Sequence, residues 1–236
     1  MKYFNWTKTI NKDELKEVKE TLINEKIVIF PTETVYGIAA SALSDKAIEK
    51  LYEAKERPRD KAINIMVSDI EEIEKYALIK NDIERKIIKN FMPGEITIIL
   101  DKKENFGKGF TKENTIGIRI PDNIIALNIL KETQLPLIVS SANLSGHSNG
   151  VNPQEINKDF KEKVDIIIDG GIIKEGIPST IVRVEKNEIK ILREGKITKE
   201  EIENKINLPM WRFFLIDKKG IINNNFHIII WRWLHV

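Results

Sequence analysis

Short apolar runs alternate along the chain with segments whose apolar residues recur every three or four positions. The first pattern predicts buried strands, and the second predicts amphipathic helices. The predicted strands are the runs KIVIF, INIMV, ITIIL, TIGIRI, LPLIVS and VDIIID. The stretch TIVRVEKNEIKIL predicts a hairpin that turns at Lys186 and Asn187.

The predicted helices carry signals for their first and last residues. The segments ELKEVKETLINE, SDKAIEKLYEAKERP and NDIERKIIKNFMPGE have helical periodicity, and Ser44 or Asp45 is the expected cap of the second. Capping boxes are predicted at Ser68–Glu71 and Thr198–Glu201. Strands and helices in this order predict an α/β or α+β fold, and the late hairpin favours a mixed sheet.

Composition narrows the chemistry that this fold can perform. The chain has 236 residues, 38 basic and 36 acidic side chains, three histidines and no cysteine. Without cysteine there is no disulfide, thiol nucleophile or cysteine-bound zinc, and so few histidines disfavour Ser-His-Asp chemistry. The balanced charge does not indicate general nucleic-acid binding. We find no signal peptide and no apolar run long enough to span a membrane, so we expect a cytoplasmic protein.

Basic residues cluster where the second predicted helix ends. Lys55, Arg57, Arg59 and Lys61 fall within the stretch AKERPRDKAINIMV. A basic helix terminus is favoured by the helix dipole, so a solvated surface cluster explains the pattern. A phosphate clamp is the alternative, because arginine binds oxyanions through two parallel hydrogen bonds. The segment alone leaves both explanations open.

A second arginine and several hydroxyl groups interrupt otherwise apolar strands. Arg119 lies within TIGIRIPD, and a buried arginine needs an anionic partner, from either a structural or a ligand carboxylate. The run IVSSANLSGHSNG places hydroxyls, an amide and glycines after a strand, where α/β proteins bind ligands, although an ordinary turn has similar composition. Classical nucleotide loops, G-x-x-x-x-G-K-[ST] and G-x-G-x-x-G, do not occur.

Eight motifs in a fixed order carry a family resemblance. They are PTETVYGIAA, KERPRDKAINIMV, MPGEITIIL, TIGIRIPD, SSANLSG, IIDGG, PSTIVRV and LREG. This series resembles the YrdC-like family of threonylcarbamoyl-AMP synthases over about residues 8 to 205. The K-x-R pair Lys55/Arg57 and the S-x-N pair Ser141/Asn143 resemble that family's signature.

The resemblance implies a fold and a reaction. The fold is a twisted, open, mixed sheet with flanking helices around a concave basic cavity, formed by residues 1–206. The reaction makes threonylcarbamoyl-AMP and pyrophosphate from L-threonine, bicarbonate or CO2, and ATP, with Mg²⁺ accompanying ATP and no metal held by the protein. A tRNA threonylcarbamoyl transferase complex then uses the product for the t6A37 modification. A basic cavity of this kind also provides a surface for contact with tRNA or double-stranded RNA.

The resemblance also implies roles for individual residues, by their match to the family motifs. Lys55 and Arg57 would act in catalysis by neutralising the triphosphate. The residues implied for ATP binding are Arg57, Lys61, Thr115, Ser141, Asn143, Asn149 and Arg193. The residues implied for threonine binding are Thr34, Arg119 and Ser179. Glu33 either orients a cationic group or is a structural acid.

The chain departs from the family pattern at three places. It reads Lys61-Ala62-Ile63 where many relatives read K-P-L or N-P-L. Met66 occupies a position where many relatives carry histidine, which affects one threonine-side contact. The tail of residues 207–236, rich in tryptophan, resembles nothing in the family. An additional edge hairpin, sequence from a read-through or junction, and a partner-docking segment are its three interpretations.

Two other functions compete with the synthase. A non-catalytic RNA-binding module on the same fold would need the positive charge but no amino-acid pocket. A carbamoyl-transfer domain of the hydrogenase-maturation type would be accompanied by a zinc finger, for which this chain has no cysteine.

Overall fold

A computed structural model describes residues 1–104, 106, 109–111, 114–144, 150–154, 156 and 158–206, with the backbone alone for residues 158 and 159. Asn149 and the tail of residues 207–236 lie outside the described residues, so the predicted boundary near residue 206 stays a prediction.

Eleven strands and seven helices are present in the described part of the chain. The strands are β1 (Lys2–Asn5), β2 (Val28–Pro31), β3 (Tyr36–Ser41), β4 (Asn64–Met66), β5 (Ala77–Leu78), β6 (Ile96–Lys102), β7 (Thr115–Arg119), β8 (Leu137–Ser141), β9 (Ile166–Asp169), β10 (Thr180–Glu185) and β11 (Glu188–Arg193). The helices are α1 (Lys12–Ile23), α2 (Asp45–Lys55), α3 (Ile70–Tyr76), α4 (Asp82–Phe91), α5 (Ile124–Thr133), α6 (Lys158–Glu162) and α7 (Lys199–Ile206).

All eleven strands belong to one mixed sheet. Its order is β1-β9-β2-β3-β8-β4-β7-β6-β10-β11, and β5 pairs with β6 beside this path. Four neighbouring pairs on the path are parallel: β1 with β9, β9 with β2, β4 with β7, and β6 with β10. The predicted mixed α/β architecture is therefore confirmed.

The two faces of the sheet pack against different helices. One face buries a large apolar cluster with α2, α3, α4 and α7, including Leu51, Ile73 and Ile88. The opposite face buries a smaller cluster with α1 and α5, including Val18 and Ile129. Side chains alternate between faces along each strand. The part of the second face beyond α1 and α5 therefore presents alternate residues of β4, β6, β7, β8 and β10 to a cavity.

Short capping motifs correctly predict where two of three helices begin. The Ser44 hydroxyl caps α2 by accepting from the Ala47 amide at 3.2 Å. Thr198 and Glu201 form the predicted capping box of α7. The box at Ser68–Glu71 is wrong by one residue, because Asp69 is the cap and its carboxylate accepts from the Glu72 amide at 2.9 Å. The Ser68 hydroxyl does not cap the helix and instead donates to the Asp69 carboxylate at 2.7 Å.

The predicted hairpin turn is also confirmed. Lys186 and Asn187 have φ angles of 51° and 65°, the left-handed geometry of a two-residue turn between β10 and β11. None of the helices in the described ranges is long and apolar enough to cross a membrane.

Candidate active site

A cavity of about 210 Å³ opens on the face of the sheet that α1 and α5 leave uncovered. Its lining comes from the β2–β3 turn, from β3, β4, β6, β7, β8, β10 and β11, and from residues just before β4 and β10. Of the residues predicted for function, the structure brings together Thr34, Arg57, Arg119, Ser141, Ser179 and Arg193. Sequence segments up to about 160 positions apart therefore meet at one site, as the sheet order dictates.

The turn between β2 and β3 forms one wall and is held by its own hydroxyls. The Thr32 hydroxyl donates to the Val35 carbonyl at 2.7 Å and accepts from the Thr34 and Val35 amides, both at 3.2 Å. The hydroxyls of Thr32 and Thr34 lie 2.9 Å apart. Both threonines are almost completely buried. The hydroxyl-rich stretch after β2 is thus a rigid turn that fixes the Thr34 side chain.

Arg119, at the end of β7, is 4% exposed and is held from three directions. Its guanidinium donates to the Gly94 carbonyl at 3.0 Å and to the Thr34 hydroxyl at 3.1 Å, and one nitrogen lies 2.8 Å from a Glu33 carboxylate oxygen. That oxygen also accepts from the Asp122 amide at 2.9 Å. The partner of the buried arginine is therefore a protein carboxylate, and Glu33 serves as its counter-ion.

Arg193, at the end of β11, holds the opposite wall. Its guanidinium donates to the Ser179 carbonyl at 2.7 and 3.1 Å and to the Ser179 hydroxyl at 3.1 Å. The Ser179 hydroxyl in turn lies 2.9 Å from the hydroxyl of Thr97 on β6. Burial, followed by the positive charges of Arg119 and Arg57, lowers the pKa of Arg193. The charges of Arg119 and Arg57 therefore act on Arg193 across this cavity.

Arg57 completes the basic wall from the loop after α2. Its guanidinium donates to the Lys61 carbonyl at 3.0 Å and to the Ala62 carbonyl at 2.7 Å, which fixes its direction. Among the described residues, neither Arg57 nor Arg193 has a carboxylate partner, and no acidic residue lines the cavity. Fixed arginines without counter-ions form a preorganised anion site, because their charge is not compensated within the protein.

Lys55, at the end of α2, lies behind this cavity. It is 1% exposed, and its ammonium donates to the Ser141 carbonyl, to the Asn143 carbonyl at 2.7 Å and to the Asn143 side-chain oxygen at 3.3 Å. The Phe160 ring centroid is 5.9 Å away. Burial, with a smaller effect from Arg57, lowers the pKa of Lys55 to about 7. Lys55 is thus bonded to the segment after β8 and does not line the cavity, and its predicted role in catalysis stays a prediction.

The remaining predicted residues lie at or beyond the edge of the cavity. The Asn143 oxygen accepts from the Ser141 hydroxyl at 2.5 Å, so the S-x-N pair forms a single hydrogen-bonded unit. Lys61 is exposed and does not line the cavity. Thr115 begins β7 and lies about 13 Å along the strand from Arg119, outside the cavity lining. Asn149 lies outside the described residues. Roles for these residues on ATP stay predictions.

The sequence analysis missed several residues of the lining, among them three polar ones. Thr97 bonds Ser179, Thr32 shapes the turn, and Asn64 lies on the cavity floor. Thr97 and Asn64 alternate with buried apolar neighbours in their strands, which is the signal that could have identified them. Thr32 lies in the turn after β2, outside any such alternation. Within the described residues there is no group of three acidic or histidine side chains placed to hold a metal ion. The arrangement suits binding of a polyanion beside a small carboxylate-bearing molecule.

Comparison with known proteins identifies the family. The family model described as "Telomere recombination", which covers Sua5, YciO and YrdC proteins, matches residues 20–195. The chain belongs to the Sua5/YciO/YrdC family. Among curated members, a Methanocaldococcus jannaschii protein provisionally named threonylcarbamoyl-AMP synthase is 44% identical over 192 residues, with 80% of this chain and 90% of that protein covered.

Longer members of the Sua5/YciO/YrdC family match with about half of their length. The Bacillus subtilis threonylcarbamoyl-AMP synthase is 34% identical over 195 residues, which cover 82% of this chain and 56% of the relative. The Pyrococcus abyssi enzyme of that name is 35% identical over 182 residues, 77% of this chain and 54% of the relative. This chain therefore spans just over half the length of these two proteins.

Solved structures of the Sua5/YciO/YrdC family have the same fold. The crystal structure of P. abyssi Sua5 complexed with L-threonine superposes with a TM-score of 0.84 at 32% identity, covering 88% of this chain and 61% of that chain. E. coli YciO gives a TM-score of 0.76 at 23% identity, a likeness of fold alone.

Proposed function

We propose that this protein is an L-threonylcarbamoyladenylate synthase, a nucleotidyltransferase that converts L-threonine, bicarbonate or CO2, and ATP into threonylcarbamoyl-AMP and pyrophosphate. The observation that supports it best is the joint cavity: uncompensated Arg57 and Arg193 lie beside Arg119, Thr34 and Ser179. A polyphosphate and an amino acid can then bind side by side. The names of the curated relatives and the L-threonine complex of P. abyssi Sua5 support the same reaction.

The amino acid would bind against the turn between β2 and β3. Arg119 keeps its charge aimed at the cavity while Glu33 and Thr34 hold it in place. A guanidinium has five N–H donors, so Arg119 can bind a substrate carboxylate and keep these contacts. Ser179, on the opposite wall, would contact the amine or hydroxyl of the same molecule, consistent with its place in the cavity.

The triphosphate would bind along the basic wall. Arg57 and Arg193 would take its oxygens, and Ser141 would contact phosphate or ribose from the end of β8. Lys55 would act indirectly, because its hydrogen bonds fix the backbone around Ser141 and Asn143. Asn143, Lys61, Thr115 and Asn149 complete our proposed ATP side. Mg²⁺ would enter as the ion of MgATP, bound by phosphate oxygens.

The proposed reaction needs positioning and charge stabilisation more than covalent help. The threonine amine adds to CO2 and loses a proton, which gives a carbamate. A carbamate oxygen then attacks the α-phosphorus in line, and the bond to the β-phosphate oxygen breaks as pyrophosphate leaves. Fixed arginines stabilise the charge that develops on the leaving group without reorganising. This matches a cavity with three guanidiniums and no nucleophilic side chain from cysteine or histidine among its described lining residues.

The product would serve a tRNA-modifying partner in the cytoplasm. A threonylcarbamoyl transferase complex would move the threonylcarbamoyl group to the t6A position of tRNA. Direct contact of this protein with tRNA is a further part of the proposal.

Product analysis tests the proposal. We would incubate the purified protein with ATP, bicarbonate and L-threonine, then measure pyrophosphate and the mass of the adenylate. We expect both products, and omission of any one substrate should abolish the adenylate. No product together with tight binding of double-stranded RNA would instead identify a non-catalytic RNA-binding module.

A further inference from the structure

Asn64, the first residue of β4, presents an uncommitted amide to the cavity floor. It is opposite Val139 of β8, and its side chain extends over Gly117 of β7 on the other side. It lines the cavity and is partly exposed there. It is the only amide side chain among the described lining residues, and no hydrogen bond joins its side chain to another described residue.

Gly117 provides the space that this amide occupies. A Cβ atom at residue 117 would lie 2.0 Å from the Asn64 side-chain oxygen and 2.7 Å from its Cγ. Real Cβ atoms do not approach other atoms this closely, so any other residue at 117 would displace the amide. The position of the Asn64 side chain therefore depends on a glycine in the neighbouring strand.

Three other hydroxyl groups of the lining already have partners in the protein. The Thr34 hydroxyl is bonded to Thr32 and Arg119. The Ser141 hydroxyl is bonded to Asn143. The Ser179 hydroxyl is bonded to Thr97 and Arg193. Met66, two residues after Asn64 and on the same face of β4, offers only a weak thioether acceptor. Asn64 can therefore provide a strong donor and a strong acceptor that the described protein groups do not use.

The register of the sheet places Asn64 close to Arg119. Residue 117, which the amide covers, is two positions before Arg119 in β7, about 6.6 Å along the strand. A small amino acid whose carboxylate lies at Arg119 can extend across that distance. The polar group on the side chain of that amino acid then reaches the Asn64 amide. The amide can both donate through its NH2 and accept through its oxygen, and a hydroxyl group can use both.

We propose that Asn64 is a specificity-determining residue that recognises the side-chain hydroxyl of the amino-acid substrate, and that Gly117 positions it. The inference rests on the proposed synthase function, because it assumes an amino acid bound at Arg119. A site with a polar group aimed at a substrate hydroxyl rejects the analogue that lacks the hydroxyl, since the polar group is then left unpaired.

Binding of matched ligands tests the proposal. Calorimetry in the presence of ATP would compare L-threonine with L-2-aminobutyrate, which has the same carbon skeleton without the hydroxyl. We expect the wild type to prefer L-threonine, and Asn64→Leu to weaken L-threonine binding about tenfold while changing L-2-aminobutyrate less than about twofold. Asn90→Leu, on the exposed surface of α4, is the control and should leave both affinities unchanged.

Gly117→Ala provides a second variant that keeps the amide and moves it. The nearest atom is the end of a movable side chain, so the strand can accept the methyl group once Asn64 shifts. We expect this variant to lose the preference for L-threonine as well, and the double variant to lose little more than either single one, because both changes remove one contact. Thermal unfolding would show that both variants remain folded.

The outcomes distinguish the two proposals. A wild type that forms the adenylate, with the same ligand preference in Asn64→Leu, overturns the role of Asn64 and leaves the synthase standing. A wild type that neither forms product nor binds L-threonine overturns both. Equal loss for L-threonine and L-2-aminobutyrate would show a packing role and would also overturn the specificity role.

Discussion

Replacing Lys55 by methionine tests whether a buried lysine anchors the segment after β8. Methionine fills a similar volume without charge or hydrogen-bond donors. The change would leave the carbonyls of Ser141 and Asn143 and the Asn143 side-chain oxygen without the donor that now joins them. We therefore expect a looser wall at Ser141 and weaker binding of ATP.

The pH dependence of stability gives this prediction a magnitude and a sign. Burial lowers the pKa of Lys55 to about 7, from the ordinary lysine value of 10.5. Between these values the unfolded chain binds a proton that the folded chain does not, so stability rises with pH. From pH 7 to pH 9 the Lys55 contribution rises by about 2 kcal/mol. This is an upper value, since three acceptor oxygens favour the ammonium.

Urea unfolding at several pH values between 6 and 9 measures this effect. The free energy of unfolding of the wild type minus that of Lys55→Met should increase with pH by up to about 2 kcal/mol. Lys46→Met, at an exposed position in the same helix, should give a difference that stays flat over this range. A flat difference for Lys55→Met as well would refute the assignment of Lys55 as a buried lysine with a lowered pKa.

Two further substitutions test the charges of the cavity. Arg57→Gln should lower the rate of pyrophosphate release by about 10²- to 10³-fold, because one fixed donor to the developing charge is lost. Arg59→Gln should change it less than about twofold, since Arg59 packs on Tyr52 outside the cavity, and equal losses would contradict the assignment. Glu33→Gln should lower the free energy of unfolding by about 3 kcal/mol in urea titration, because it leaves the buried Arg119 charge without a counter-ion; unchanged stability would refute that role.

Periodicity and local signals were sufficient for much of the fold. The Ser44 cap, the Thr198–Glu201 box and the turn at Lys186 depend on residues close in sequence, so short motifs predict them. β3 was not predicted as a strand, because all six of its residues are buried and show no alternation. β1 was missed because its position follows from parallel pairing with β9, far away in the chain.

The site was predictable as a set of residue types and less so as a set of contacts. The family motifs identified Arg57, Arg119 and Arg193, and all three line the cavity. Lys55 bonds to Ser141, which is 86 positions away in the sequence. Arg119 of β7 pairs with Glu33, which lies in the turn between β2 and β3. Such pairings depend on strand order and register, which no local pattern contains.

Labelled bicarbonate provides the most direct test of the central claim. We would supply the purified protein with ATP, L-threonine and ¹³C-bicarbonate and analyse the nucleotide products by mass spectrometry. We predict a threonylcarbamoyl-adenylate whose mass increases by one ¹³C atom, and its loss in Arg57→Gln. ATP turnover to AMP without labelled carbon in an adenylate, or no turnover at all by folded wild-type protein, would contradict the account.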